Sequence, residues 1–527
     1  MKTTDLPAVR RSLGALLALS AAICVYAVRQ VDPDLYGYLA YGRLYDHLGH
    51  LPSDDPFAYT SAGMRWVTFE YLAQLALWRA FALFGPAGLI ALKMGLGGAA
   101  ILLLWIAIRS VSPDRLVRGP VFILATTTVS RYLLFRPQLF TFACFALFVA
   151  VLLRRLLGRR APLWILPPVM VVWANTHGGF AAGLGAIGLA LILAVMQSRS
   201  LTGGSRAADV TRPRTLAVVG VACLAATLLN PHGIGLWRYV LTELAHDTNR
   251  RFIVEWQPTS WSRDGWSAMA LTVFSIALLF VTSYAERHRQ IIAGLRPWQW
   301  ALSSVPLLAL AWLSVRHVPL AALWVAPVIA LLASAVSGRS DAEKFRSAWL
   351  AMVVASLVSL ALTVQYVIAV PRPVVSAAGT VLGPTHPCSA MAFMRAQGLE
   401  GHVYAPLWWG SYLTWHLYPR VLISMDGRNI SLFPDDMVVK NLQFYAAVPA
   451  SADLEDPLRY DTDFLLVPTS AGILSNVRSD GRWREMFADR DAALFVRAGA
   501  RGARWDAPAT AATAGAPPSG CPSLLTR

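Results

Sequence analysis

VDPDLYGYLAYGRLYDHLGHLPSDDPFAYT, Val31–Thr60, is the stretch whose reading decides the fold. It carries Asp32, Asp34, Asp46, Asp54 and Asp55, with Tyr36, Tyr38, Tyr41 and Tyr45 between them. The 527-residue chain has only 30 acidic residues, so this clustering is no random sample. The stretch follows an apolar run, Leu13–Val28, which itself follows Arg10 and Arg11. A polar, acidic loop directly behind a first membrane-length helix sets the sidedness of everything downstream.

The composition agrees with a membrane setting. The chain is 56% hydrophobic and 14% charged, with a mean hydropathy of +0.49. A soluble chain carries roughly a quarter charged residues. Repeated apolar runs predict a polytopic membrane protein. The net charge of +16 comes almost wholly from arginine in short loops between those runs. That is an orientation signal and not a nucleic-acid surface. Leu13–Val28 reads as an uncleaved signal-anchor, because the acidic loop follows at once. Cys24, Cys144 and Cys223 fall within apolar runs and read as small core residues. Cys388 and Cys521 lie in the tail and either pair or remain thiols.

Basic residues orient the spans. Asp5–Arg11 is assigned to the cytosol, which puts the acidic loop outside. Phe69–Phe84 is apolar but interrupted by Glu70, Gln74 and Arg79, and reads as a helix lying in the interface. Spans are then expected at Gly88–Ile108, Val121–Val129, Phe140–Leu153, Leu163–Trp173, Phe180–Met196 and Leu216–Leu229. Further spans are expected at Trp266–Tyr284, Trp298–Leu313, Leu320–Val336 and Trp349–Val370. The fold class is therefore an α-helical polytopic membrane protein with about eleven transmembrane helices. A small C-terminal α/β domain outside the cytosol, residues 371–500, completes it. Its strands are expected at HVYAPL, RVLISM, DFLLVP and AALFVRA, and its helices at Ala390–Gln397, Asp435–Ala446 and Ser470–Val477. Gly502–Arg527 is rich in Ala, Pro, Gly and Thr and reads as a disordered tail. The domain plan is 1–370 for the membrane part, with 31–68 as its first outer loop and 69–84 as its interfacial helix.

This orientation gathers the polar motifs on one face. A carboxylate at a membrane cavity mouth can act as general base or hold a divalent metal against a phosphate. Asp34 and Asp32 are the catalytic candidates, against the blander reading of Asp32 as the N-cap of a helix entered at Pro33. Asp54 and Asp55 precede Pro56 and read as a turn. Arg131 and Arg136 bracket an outer turn, and guanidinium forks bind phosphate, although snorkelling would also explain them. Arg316 and His317, at another outer helix end, are further phosphate candidates. Asn175 and His177 lie in NTHGG, where a hydrogen-bonded structural histidine is the commoner outcome. Trp409, in LWWGSYLTW, and Asp426 with Arg428, in ISMDGRN, could line an acceptor site or form an aromatic core with a tight turn. Tyr38 and Glu70 complete the substrate-binding set. No HExxH, P-loop, strand-to-helix GxGxxG or GxSxG occurs.

With those residues in view, the chain resembles the GT-C superfamily of polytopic glycosyltransferases. Val31–Asp32–Pro33–Asp34–Leu35–Tyr36–Gly37–Tyr38 is similar to the F-D-P-x-F-x-Y-R pattern of oligosaccharyltransferase catalytic subunits. That match carries the acid to Asp32, whereas the looser superfamily pattern, an acid shortly before Tyr, favours Asp34. LWWGSYLTW resembles their WWDYG segment, with Gly410 where the aspartate stands, which argues against asparagine-sequon recognition. The likeness is closer to a group of bacterial membrane proteins with D-P-D-L, R-P-Q, N-x-H-G-G, N-P-x-G, R-H-x-P, W-G-x-Y and D-G-R. Those motifs fall here at Asp32–Leu35, Arg136–Gln138, Asn175–Gly179, Asn230–Gly233, Arg316–Pro319, Trp409–Tyr412 and Asp426–Arg428.

The resemblance implies transfer of a sugar from a polyprenyl-phosphate carrier to a glycan, lipid or protein acceptor on the outer face of the cytoplasmic membrane. It implies the lipid bilayer and the lipid-linked sugar as partners, and no nucleic acid. A divalent metal, Mg or Mn, is compatible with the acids but not demanded. Two rivals stand beside it: a transporter or flippase for lipid-linked sugars, and a non-enzymatic envelope-assembly protein. A transporter needs polar residues at mid-span depth and often an internal repeat.

Overall fold

The computed structural model describes residues 34–200, 213–245, 253–287, 290–336, 386–428, 432–446 and 456–499, with short pieces between them. Asp32, the Leu13–Val28 run, most of Trp349–Val370, the 502–527 tail, Cys24 and Cys521 lie outside these residues. Backbone contacts divide the chain into two units. One comprises Met1–Val28, Ala91–Val240 and Asn249–Val370; the other comprises Arg29–Ile90, Leu241–Thr248 and Pro371–Arg527. The acidic stretch thus groups with the C-terminal domain.

The first unit is helical. Among the described residues, five helical stretches are long and apolar enough to cross a membrane: Tyr71–Val111, Gln138–Leu156, Phe180–Ser200, Gly265–Arg287 and Val315–Val336. Leu163–Ala174 and Pro213–Ala226 are shorter apolar helices. Every side chain from Val318 to Ala333 is buried, so this helix is the core of the unit. Small residues let neighbours close in: Gly183 lies under the Trp173 indole, whose Nε1 donates to Thr141 Oγ1 at 2.8 Å.

Two local features follow from proline. The Tyr71–Val111 stretch breaks at Gly85, whose φ of 59° and ψ of −149° are not helical, beside Pro86. Proline lacks the donor that would continue the ladder, and glycine tolerates the turn. The break falls between the Phe69–Phe84 segment and the apolar stretch that follows. The expected continuous span Trp298–Leu313 is corrected. It is two helices, Pro297–Leu302 and Val305–Leu313, interrupted at Ser303 and Ser304 where Pro306 enters the second.

The second unit carries a mixed sheet. After a two-residue pair, β1 (Val374–Val375) with β2 (Val381–Leu382), the strands are β3 (Gly401–Tyr404), β4 (Val421–Ile423), β5 (Phe464–Pro468), β6 (Trp483–Ala488) and β7 (Ala492–Arg497). Their order is β4-β3-β5-β7-β6, with β3 parallel to β4 and β5 and the last three antiparallel. β5 is buried along its whole length, which is why it reads as a continuous apolar run. β6 escapes a sequence reading because its middle, Arg484–Phe487, is only half-buried and mixes charges with apolar residues. Helices Leu407–Leu417 and Asp435–Ala446 pack beside the sheet. Phe444, Tyr445, Leu465, Val467 and Phe495 form the apolar core. The helix Leu35–Leu48 joins this unit, and Ala58 forms a parallel bridge with Ile423. Cys388 is disulfide-bonded.

Candidate functional site

Asp34 stands at the N-cap of Leu35–Leu48, with φ −75° and ψ −14°. Its carboxylate makes no cap bond to its own helix. The side chain turns instead onto the Cα of Gly427: a Cβ built there would overlap the Asp34 carboxylate. The glycine of D-G-R is therefore the seat of Asp34. Tyr38 lies on the first turn of the same helix, half-buried, its amide donating to Asp34 O at 3.0 Å.

The two charged residues of D-G-R face inward. Arg428 Nη1 reaches Asp55 Oδ1 at 2.6 Å and Nη2 reaches Asp426 Oδ2 at 2.8 Å. Both carboxylates are fully enclosed. Tyr41 Oη donates to Asp426 Oδ2 at 2.7 Å. The guanidinium also lies 4.8 Å from the Tyr41 ring centroid and 4.7 Å from that of Trp66. Burial works against the charge on Arg428, but Asp426, Asp55 and Tyr41 outweigh it and hold its pKa well above the ordinary value. Asp55 also accepts from Phe57 N and Ala58 N at 3.1 Å each, the turn its sequence predicts. The ion pair to Arg428 was not legible, because the two residues are far apart in the chain.

Gly410 has no room for a side chain: a Cβ there would run into Met425 O and Asp426. The departure from WWDYG is thus matched by Asp426, which fills that space from the neighbouring turn. Trp409 is buried on the same helix, and Glu70 is half-buried, with Ala73 N donating to its backbone oxygen at 3.0 Å.

The first unit assembles a separate cationic group. Arg136 Nη1 pairs with Glu255 Oε1. Arg316 stacks on Trp256, 4.1 Å from the ring centroid, and Arg131 on Trp266 at 4.9 Å. Burial raises the Glu255 pKa, but Arg136, Arg316 and a hydrogen bond from Gln138 outweigh it and leave it below the ordinary carboxylate value. His177 Nδ1 accepts from Gly179 N at 2.9 Å and lies 2.9 Å from Thr141 Oγ1. Burial first, then Arg316 and Arg136, push its pKa down to about 3, so the ring is neutral. Asn175 Nδ2 donates to Val171 O at 2.7 Å and Leu229 O at 2.9 Å, tying two helix ends together. His317 closes the short turn Val315–His317 beside Arg316.

The structure therefore brings Asp34, Asp426 and Arg428 together in one unit, and Arg136, Arg316 and His177 in the other. Two residues were missed. Glu255 is one of several acids in the stretch between Asn230 and Trp266, and nothing local marks it out. Lys93 is a lysine inside an apolar span, buried, with no hydrogen-bond partner for Nζ, which sits 4.6 Å from the Phe135 centroid. An ionisable side chain at such a position is itself the signal. Among the described residues no three His, Cys, Asp or Glu side chains form a metal-holding group. Asp55 and Asp426 both pair with Arg428.

A helical membrane unit, an acidic helix entry and a C-terminal mixed α/β unit make this a GT-C-like fold. The chain superimposes on the archaeal oligosaccharyltransferase AglB from Archaeoglobus fulgidus, solved with an inhibitory peptide and a dolichol-phosphate. The TM-score is 0.54 at 12% identity, over 95% of this chain and 75% of that one. The apo form of the Archaeoglobus fulgidus oligosaccharyltransferase gives 0.51 at 13% identity, covering 86% and 69%. The arabinofuranosyltransferase AftD from Mycobacteria gives 0.53 at 15% identity over 92% of this chain, which spans 41% of AftD. No family model and no curated protein matches the sequence.

Proposed function

We propose that the chain is a glycosyltransferase that moves a sugar from a polyprenyl-phosphate donor to an acceptor at the outer face of the cytoplasmic membrane. The observation that carries this reading is the Asp34 carboxylate. It stands at a helix entry without capping it and is seated on Gly427, while the acids around it are consumed by Arg428. A carboxylate placed at a helix entry and seated against a glycine is suited to take a proton from a hydroxyl brought beside it.

In the proposed step an acceptor oxygen attacks the sugar C1 as the C1–O bond to phosphate breaks. Asp34 takes the acceptor proton, and the leaving phosphate keeps the bonding electron pair. Within the first unit, Arg136 and Arg316 are the groups suited to hold a lipid phosphate. Asp32 remains the alternative base. The reading includes the shorter helices as membrane-crossing, for about eleven spans, and puts residues 371–500 outside the cytosol. The GT-C-like fold supports it, as does the solved AglB complex with dolichol-phosphate.

The test compares Asp34→Asn with Asp32→Asn in membranes supplied with lipid-linked sugar. Asp34→Asn should lose about 100-fold or more of transfer at unchanged thermal stability. Full activity in both variants ends the proposal. Mass spectrometry of lipid-linked sugars after gene deletion identifies the sugar, and the accumulated donor is the expected signature.

A further inference from the structure

The acid missed by sequence, Glu255, lies against the two arginines of the first unit that are read as phosphate candidates. It pairs with Arg136, accepts from Gln138 of the same R-P-Q motif, and feels the charge of Arg316. Its side chain remains one-third exposed. The turn that carries it, Val254–Trp256, buries none of its residues, and Val254 is exposed. Polar clips hold it in place. Ser314 Oγ donates to Glu255 O at 2.9 Å, and Val315 N to Gln257 O at 3.2 Å. Thr259 N donates to Trp312 O at 3.1 Å. A strap held by hydrogen bonds, by the Glu255–Arg136 pair and by the stacking of Trp256 on Arg316, with none of Val254–Trp256 fully buried, can let go once a ligand anion replaces Glu255 on the guanidinium groups.

Two guanidinium groups beside a neutral histidine need a counter-charge when no ligand is present. A carboxylate and a phosphate oxygen satisfy the same guanidinium fork. We propose that Glu255 is a built-in counter-anion, holding Arg136 and Arg316 in the absence of donor and displaced by the donor's phosphate. This rests on the reading of those arginines as phosphate-holding groups. Displacement makes the apparent affinity weaker than the intrinsic one, because the strap has first to release. Glu255 is in this sense a positioning residue that gates the anion site.

The experiment measures binding of farnesyl phosphate, and of inorganic phosphate in parallel, to the full-length protein in detergent. Glu255→Gln should bind farnesyl phosphate about tenfold tighter than wild type, the equivalent of ~1.4 kcal/mol. Arg136→Gln should bind it about tenfold weaker. In the Arg136→Gln background the Glu255 change should have a smaller effect, because only Arg316 is then left to be released. Should Glu255→Gln fail to fold, Glu255→Asp, which withdraws the carboxylate by one methylene, should move affinity in the same direction. Unchanged or weaker binding in the Glu255 variants, with Arg136→Gln still weakened, overturns the counter-anion role and leaves the phosphate site standing. Unchanged binding in Arg136→Gln removes the phosphate site and this proposal with it. Inorganic phosphate should rank the variants in the same order at lower affinity; a response to it alone overturns the lipid source.

Discussion

Asp34 and Gly427 lie far apart in the chain and meet in space, so a change at Gly427 tests the proposed role of Asp34 apart from stability. Adding a methyl group at Gly427 would strike the far end of a flexible side chain. Gly427→Ala should therefore swing the Asp34 carboxylate away, cut transfer about 100-fold, and change stability by less than about 1 kcal/mol. Activity and melting temperature measured side by side decide it; parallel losses in both would refute the seat. Arg428 behaves oppositely. Arg428→Met leaves Asp426 and Asp55 buried without their cation and should cost about 3–5 kcal/mol. Thermal denaturation in detergent reads that loss, and a variant as stable as wild type would show the cluster is not structural.

At the scale of elements, the turn between Leu166–Ala174 and Phe180–Ser200 carries a titration prediction. His177 is neutral in the fold, with a pKa near 3, against about 6.5 when unfolded. Between those values the unfolded chain binds the extra proton, so stability is full above the unfolded pKa and falls as the pH drops below it. From pH 7 to pH 5 the loss should be about 2 kcal/mol. Its removal in His177→Asn, measured as a flattened dependence of melting temperature on pH, checks the assignment. An unchanged slope would place the titration elsewhere. Local chemistry made this turn easy to find, since Asn, His and paired glycines stop a helix. Its partners Thr141 and Leu229 come from other helices and are invisible to a local reading.

At the scale of the molecule, the grouping of Arg29–Ile90 with Pro371–Arg527 predicts how the chain can be cut. Residues 371–527 expressed alone lose Asp55, Tyr41 and Trp66 from around Arg428 and the Ala58 bridge to Ile423. The excised segment should be unstable and rapidly proteolysed, and a folded, protease-resistant fragment would contradict that dependence. The break at Gly85–Pro86 is the complementary case, a division written in two adjacent residues.

Hydropathy and charge spacing alone determined that this is a helical membrane chain, where its acids and arginines concentrate, and that an α/β unit ends it. These are local quantities, set by a side chain's preference for lipid or water. Tertiary structure decided which group each acid meets. Asp55 and Asp426 are spent on Arg428, Glu255 is held by Arg136, and Asp34 is seated on Gly427. The reason is that pairing energy depends on distance in space, and distance along the chain does not report it.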